Sequence, residues 1–128
     1  METRLIESTK TNKKLHAKAD RVLLDAPCSG LGVIRRNPDS KWKLEPQFLE
    51  RIKGVQADIL RDYSKMVKPG GKMVYATCSI LPEENTEQVQ QFLTSTAGQD
   101  FELVKEQNIY ASAQGNDGFY MALMKRNQ

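Results

Sequence analysis

Apolar positions fall in short blocks separated by polar, glycine- and proline-containing stretches. The run Val22-Leu23-Leu24, bounded by turn residues, predicts a buried strand over residues 21–24. Arg4-Leu5-Ile6-Glu7 suggests a short strand upstream, and residues 10–19 are basic and weakly apolar, a loop or a frayed helix. Residues 26–44 are polar, and loops this long inside compact domains are usually functional or mobile. Glu45-Pro46 then opens the clearest helix, because proline's fixed φ and missing N–H suit the first helical position. Phe48, Ile52, Val55, Ile59, Tyr63 and Met66 recur at helical spacing and are expected to form its buried face. Lys68-Pro69-Gly70-Gly71 reads as a breaker and turn before a strand over residues 72–76. Residues 81–85 look like a second helix start, with Glu83 and Glu84 expected to cap it through the helix dipole. That helix carries Val89, Phe92 and Leu93 and fades near Ala97-Gly98. A strand over 101–104, a turn at Asn116-Asp117-Gly118 and a final strand over 119–125 complete the pattern.

Strands alternating with helices in the first part predict a mostly parallel α/β sheet with right-handed crossovers. No helix separates the last two strands, so the last strand is expected to run antiparallel. A chain of 128 residues is one domain or part of one. Its net charge of +3 permits nucleic-acid binding without demanding it. No apolar run is long enough to span a bilayer and no secretory segment opens the chain, so a cytoplasmic protein with reduced thiols is expected.

Candidate chemistry sits just past two of the strands. Asp25-Ala26-Pro27-Cys28-Ser29-Gly30 follows the first apolar run and Thr77-Cys78-Ser79 follows Met73-Val74-Tyr75-Ala76. Open α/β sheets bind ligands beyond the carboxyl ends of their strands. The chain's only two cysteines are both in these segments. A cysteine is often just a small buried hydrophobe, but two at equivalent positions with small polar neighbours favour chemistry. Two cysteines and the lone His16 do not make a structural zinc set. A Cys28–Cys78 disulfide is sterically feasible but in the cytosol is expected only as an oxidation artefact. The basic loop with Arg35, Arg36, Lys41, Trp42 and Lys43 suits phosphate binding, with Trp42 stacking on a base or plugging the core beneath; solvated charges fit it equally well.

Four segments together carry a family resemblance. They are Asp-Ala-Pro-Cys-Ser-Gly, Arg36-Asn37-Pro38-Asp39-Ser40-Lys41-Trp42, the run from Tyr75 through Thr77-Cys78-Ser79 to Pro82-Glu83-Glu84-Asn85, and Asp117-Gly118-Phe119-Tyr120. Over residues 20–125 the chain resembles the RNA 5-methylcytosine methyltransferases of the Nol/Nop/Sun (Fmu) type. The resemblance implies a Rossmann-like sheet, usually in the order 3-2-1-4-5-7-6, that uses S-adenosylmethionine on ribosomal or transfer RNA. It implies that Cys78 adds to C6 of the target cytosine and that Cys28 assists release of the methylated product. Asp25 is implied to lie against the cytosine and the cofactor's methyl end, with Pro27 and Glu7 as further cofactor contacts. Arg35, Arg36, Lys41 and Trp42 become candidate RNA contacts. An amino-methyltransferase is disfavoured, because such enzymes carry Asn or Asp followed by Pro-Pro and an aromatic residue where this chain has Asp25-Ala26-Pro27-Cys28.

The family's glycine-rich cofactor loop and the ribose-binding acid of its second strand do not occur in this chain. Residues 1–128 are therefore expected to be a partial catalytic domain, with 1–19 an irregular remnant and 20–128 the core. The isolated chain is expected to be inactive, the alternative being a non-catalytic RNA-binding or interaction fragment. Without its family neighbours the strand over 22–24 becomes a sheet edge, and exposed edges invite pairing with another chain. A homodimer or another association through that edge, or a disordered N-terminal segment, is the resulting expectation.

Overall fold

A computed structural model describes residues 16–28, 46–79, 81–109 and 118–127. Strand β1 (Ala19–Asp25) leads to helix α1 (Pro46–Tyr63), which ends in a single 3₁₀ turn over Ser64–Met66. Strand β2 (Val67–Thr77), helix α2 (Thr86–Thr94) and strands β3 (Phe101–Ile109) and β4 (Phe119–Arg126) follow. The four strands form one sheet in the order β1-β2-β4-β3. β1 and β2 pair in parallel, while β4 runs antiparallel to both β2 and β3. The expected α/β class and antiparallel last strand are both present, and the order reproduces the 4-5-7-6 half of the sheet implied by the resemblance.

One face of the sheet is the core. Leu24, Met73, Tyr75, Phe101, Tyr120, Ala122 and Met124 point from it towards Leu60 of α1 and Val89 and Phe92 of α2. The Phe92 and Phe101 rings meet at 5.4 Å, within the range in which aromatic pairs add to area burial. Among the described residues no helix covers the opposite face, where Leu23 is 71% and Val104 51% exposed. Leu23, Val74 and Leu123 lie side by side across that face. The outer edge of β1 has no partner strand among the described residues.

Four local expectations need correction. The buried stripe of α1 is rotated from the predicted one, with Gln56 and Leu60 fully buried and Val55 39% exposed. Apolar spacing follows only apolar side chains, whereas the inward face includes the polar Gln56. Lys68-Pro69-Gly70-Gly71 does not end before the strand but lies within β2. Pairing jumps there from Ala19↔Val67 to Arg21↔Lys72, so the extra residues bulge out of the ladder. Gly70 takes a φ of 85°, and a Cβ on Gly71 would meet the Asp20 carbonyl at 2.8 Å, which is why glycine occupies both positions. The second helix starts later and ends earlier than predicted, because residues 82–85 are turn and Ser95 closes the last turn. Strand β3 is more than twice the predicted length because its hydrogen-bonded partner β4 extends it through polar residues. The suggested strand at residues 4–7 lies outside the described residues.

The helix face is directly testable. Leu60→Ala is expected to cost roughly 2–5 kcal/mol, as for other buried leucines. Val55→Ala, at an exposed position, should change stability by no more than about 0.5 kcal/mol. Urea unfolding of both variants checks this, and equal losses would restore the originally predicted face.

Candidate active site

The parallel β1–β2 pair carries both motifs to the same end of the sheet. Asp25 lies opposite Ala76 in the register, and the Ala26 N–H donates to the Ala76 carbonyl at 2.9 Å. The chain then leaves both strands, at Pro27-Cys28 and at Cys78-Ser79. Ala26 and Thr77 are buried, whereas Asp25 and Pro27 are exposed and both cysteines are half-buried thiols. Asp25, Pro27, Cys28 and Cys78 are thus gathered at one edge, as expected of an α/β ligand site. Glu7, Arg35, Arg36, Lys41 and Trp42 lie outside the described residues.

Beneath this rim is a buried polar layer that sequence reasoning missed. Glu84 does not cap a helix: its side chain is fully buried, and its carboxyl accepts hydrogen bonds from the Ser79 hydroxyl and, at 3.2 Å, from the Gln56 amide. The α2 N-cap is instead Asn85, which makes no capping bond with its side chain. Asn85 turns towards the Cys78 loop, where its amide donates to the Ser79 carbonyl at 2.8 Å and its oxygen accepts from the Thr77 hydroxyl at 2.5 Å. The Thr77 hydroxyl oxygen also accepts from the Ser79 N–H at 3.2 Å, and the Ser79 hydroxyl oxygen accepts from the Leu81 N–H at 3.1 Å. The loop carrying Cys78 is therefore fixed from both sides by side-chain bonds. The available signal was Gln56, a polar residue one turn from Ile52 and one from Leu60 on the inward stripe.

Tyr75 links the layer to the core. Its hydroxyl donates to the Glu84 carbonyl at 2.8 Å, and its ring meets Tyr120 edge-on at 6.4 Å. Burial pushes the Tyr75 hydroxyl well above its ordinary range, and the nearby Glu84 and Cys28 reinforce the shift. Tyr120 is raised as well, first by burial and then by its 2.6 Å hydrogen bond to Glu106.

An exposed groove of about 350 Å³ runs beside Asp25 along the open edge of β1, between Leu23 and Tyr63. A larger one of about 560 Å³ lies between the C-terminal parts of α1 and α2, away from both cysteines. Among the described residues no group of three or more metal-ligating side chains occurs, and no helix is long and apolar enough to cross a membrane.

A half-sheet of this order, with a carboxylate and two thiols at its parallel strand ends, is the arrangement the methyltransferase resemblance implies. A methyltransferase homolog from Pyrococcus horikoshii superposes with a TM-score of 0.75 at 26% identity, over 94% of this chain and 43% of its own. NSun6 from Pyrococcus horikoshii shares the fold with a TM-score of 0.77 at 24% identity, over 97% of this chain and 34% of its own. The chain belongs to the family described as 16S rRNA methyltransferase RsmB/F, which matches residues 3–125. Ribosomal RNA small subunit methyltransferase B of Klebsiella pneumoniae is 44% identical over an alignment of 113 positions that covers 84% of this chain. The chain spans only about a quarter (26%) of that relative's length. None of these likenesses speaks for a homodimer through the β1 edge.

The tyrosines give a pH prediction. A phenol whose folded pKa is raised adds stability that is intact below its unfolded pKa, here the ordinary value of 10.0, and lost as pH rises above it. Stability should therefore fall above about pH 10, with Tyr75 and Tyr120 ionising only on unfolding. Tyr75→Phe should cost about 1–2 kcal/mol near neutral pH, by losing a buried hydrogen bond, and should flatten the alkaline slope. Tyrosinate absorbance and urea unfolding against pH report both effects.

Proposed function

We propose that this chain is the C-terminal part of the catalytic domain, with residues 20–128 as its core, of an enzyme that methylates C5 of cytosine in ribosomal RNA using S-adenosylmethionine. The observation that carries this reading is the placement of Asp25-Ala26-Pro27-Cys28 and Thr77-Cys78-Ser79 at the ends of adjacent parallel strands in matched register. The family's ribosomal RNA substrate favours that RNA over transfer RNA and implies work in the cytoplasm.

The residue types suit the chemistry. C5 of cytosine is a weak nucleophile. The Cys78 thiolate forms a bond to C6, and the electron pair of the C5–C6 double bond moves to C5, which becomes nucleophilic. One hard step is thereby split into two easier ones. The cofactor supplies the methyl group that C5 accepts. A base then takes the proton from C5, the C–H electron pair re-forms the C5–C6 double bond, and the C6–sulfur pair leaves on Cys78 as thiolate. Cys28, on the neighbouring strand end, assists this release by accepting that proton. Asp25 orients the ring by hydrogen bonding.

The residues present fit one end of the cofactor. Asp25 and Pro27 are exposed at the carboxyl end of β1, beside its open edge, and offer a wall for the methyl-bearing end. Glu7 remains a candidate contact to the adenine side. The Gly70-Gly71 bulge lies at the far end of β2 from this site. Arg35, Arg36, Lys41 and Trp42 are the proposed RNA contacts of the connection between β1 and α1.

In the complete protein, Cys78→Ala should abolish both methylation and the covalent RNA adduct. Cys28→Ala should leave an adduct that survives a denaturing gel. No adduct with Cys78 intact would remove Cys28 from the release step. The competing reading, a fragment that contacts RNA without catalysing, draws on the missing glycine-rich loop. Calorimetric titration of this chain with S-adenosylmethionine should show no measurable binding, since the chain lacks the family's glycine-rich cofactor loop; clear binding would mean that the pocket is completed another way.

A further inference from the structure

The β1–β2 register ends at Asp25↔Ala76, and the Ala26 N–H donates to the Ala76 carbonyl at 2.9 Å at that end. A second connection begins there. The Gln56 amide has two N–H donors and one oxygen acceptor. One N–H reaches the Pro27 carbonyl at 2.9 Å and the other the Glu84 carboxyl at 3.2 Å. The amide oxygen accepts from the Gln88 amide at 3.3 Å, and Gln88 itself is held by the Lys53 carbonyl at 2.7 Å. Reversing the Gln56 amide would set its oxygen against two other oxygens, so this network permits one orientation. The second oxygen of Glu84 takes the Ser79 hydroxyl. Pro27 immediately precedes Cys28, and Ser79 immediately follows Cys78.

We propose that Gln56 and Glu84 are positioning residues: they form a buried hydrogen-bonded strut from the backbone before Cys28 to the side chain after Cys78, and this strut sets the separation of the two thiols. The inference rests on the reading that both thiols serve one cytosine. An apolar pair of similar volume would fill the same space but would remove this side-chain link between the two loops. Gln56, Glu84 and Gln88 are all buried, so water does not compete for these bonds.

The test uses this chain with a short bis-maleimide that bridges two thiols, followed by mass spectrometry of the Cys28–Cys78 product. It needs neither cofactor nor RNA, so failure of the methylation reading and failure of the strut are separable. The wild type should bridge rapidly. Gln56→Leu and Glu84→Leu should each slow bridging about tenfold, because an ångström-scale loss of positioning carries large rate penalties, while alkylation by a monofunctional maleimide is not slowed. The double variant should be no slower than either single one, as expected for two members of one unit. Val89→Ala, in the core but outside the strut, serves as the control for lost stability and should bridge at the wild-type rate. Should Gln56→Leu fail to fold, Ser79→Ala removes one end of the strut with little change in volume and should still slow bridging. Wild-type bridging rates in the strut variants, or an equal slowing in Val89→Ala, would overturn the proposal.

Discussion

The parallel pairing of β1 with β2 is the constraint on which the site depends. Because the strands run the same way and Asp25 stands opposite Ala76, two segments about fifty residues apart in sequence leave the sheet at the same end. An antiparallel pair would have sent the two cysteines to opposite ends. A slip of one residue would have turned Leu24 away from the helices and Leu23 towards them, exchanging buried and exposed faces. Burial of Leu24, Met73 and Tyr75 beneath Leu60 fixes the register, and the register places the chemistry.

The polar layer depends on the same geometry. Burying two amides, a carboxyl and two hydroxyls is unfavourable unless their hydrogen bonds are made. Here Gln56, Glu84, Ser79, Thr77 and Asn85 satisfy one another and the loop backbone. A buried hydrogen-bonded network rigidifies what it touches, and this one touches both cysteine loops. Tyr75 carries the same layer into the apolar core, so core packing and loop geometry are coupled through one hydroxyl.

The other side of the sheet tells a different story. Leu23 and Val104 lie exposed on a face without a covering helix, and the outer edge of β1 lacks a strand, both among the described residues. Doubly wound sheets are covered on both faces. A chain that matches about a quarter (26%) of its relative is consistent with that half-clothed sheet.

Much of this was legible in the sequence. The strand runs, the long helix opened by Pro46 and the two cysteine motifs are local signals, set by side-chain period, turn chemistry and residue type, and they were enough to indicate the α/β class and the place of the thiols. The rotation of α1, the bulge at Gly70-Gly71, the length of β3 and the inward turn of Glu84 were not legible. Each depends on what lies opposite in space: a neighbouring strand that resumes pairing beyond an insertion, a partner that lengthens a polar strand, a serine and a glutamine that make a buried carboxyl affordable. An acidic residue beside a helix start looks like a cap because local rules see only its own helix. The sequence by itself determined which elements form and which residues can react. The tertiary structure alone decided which polar groups are buried together, because hydrogen bonds between distant segments leave no period along the chain.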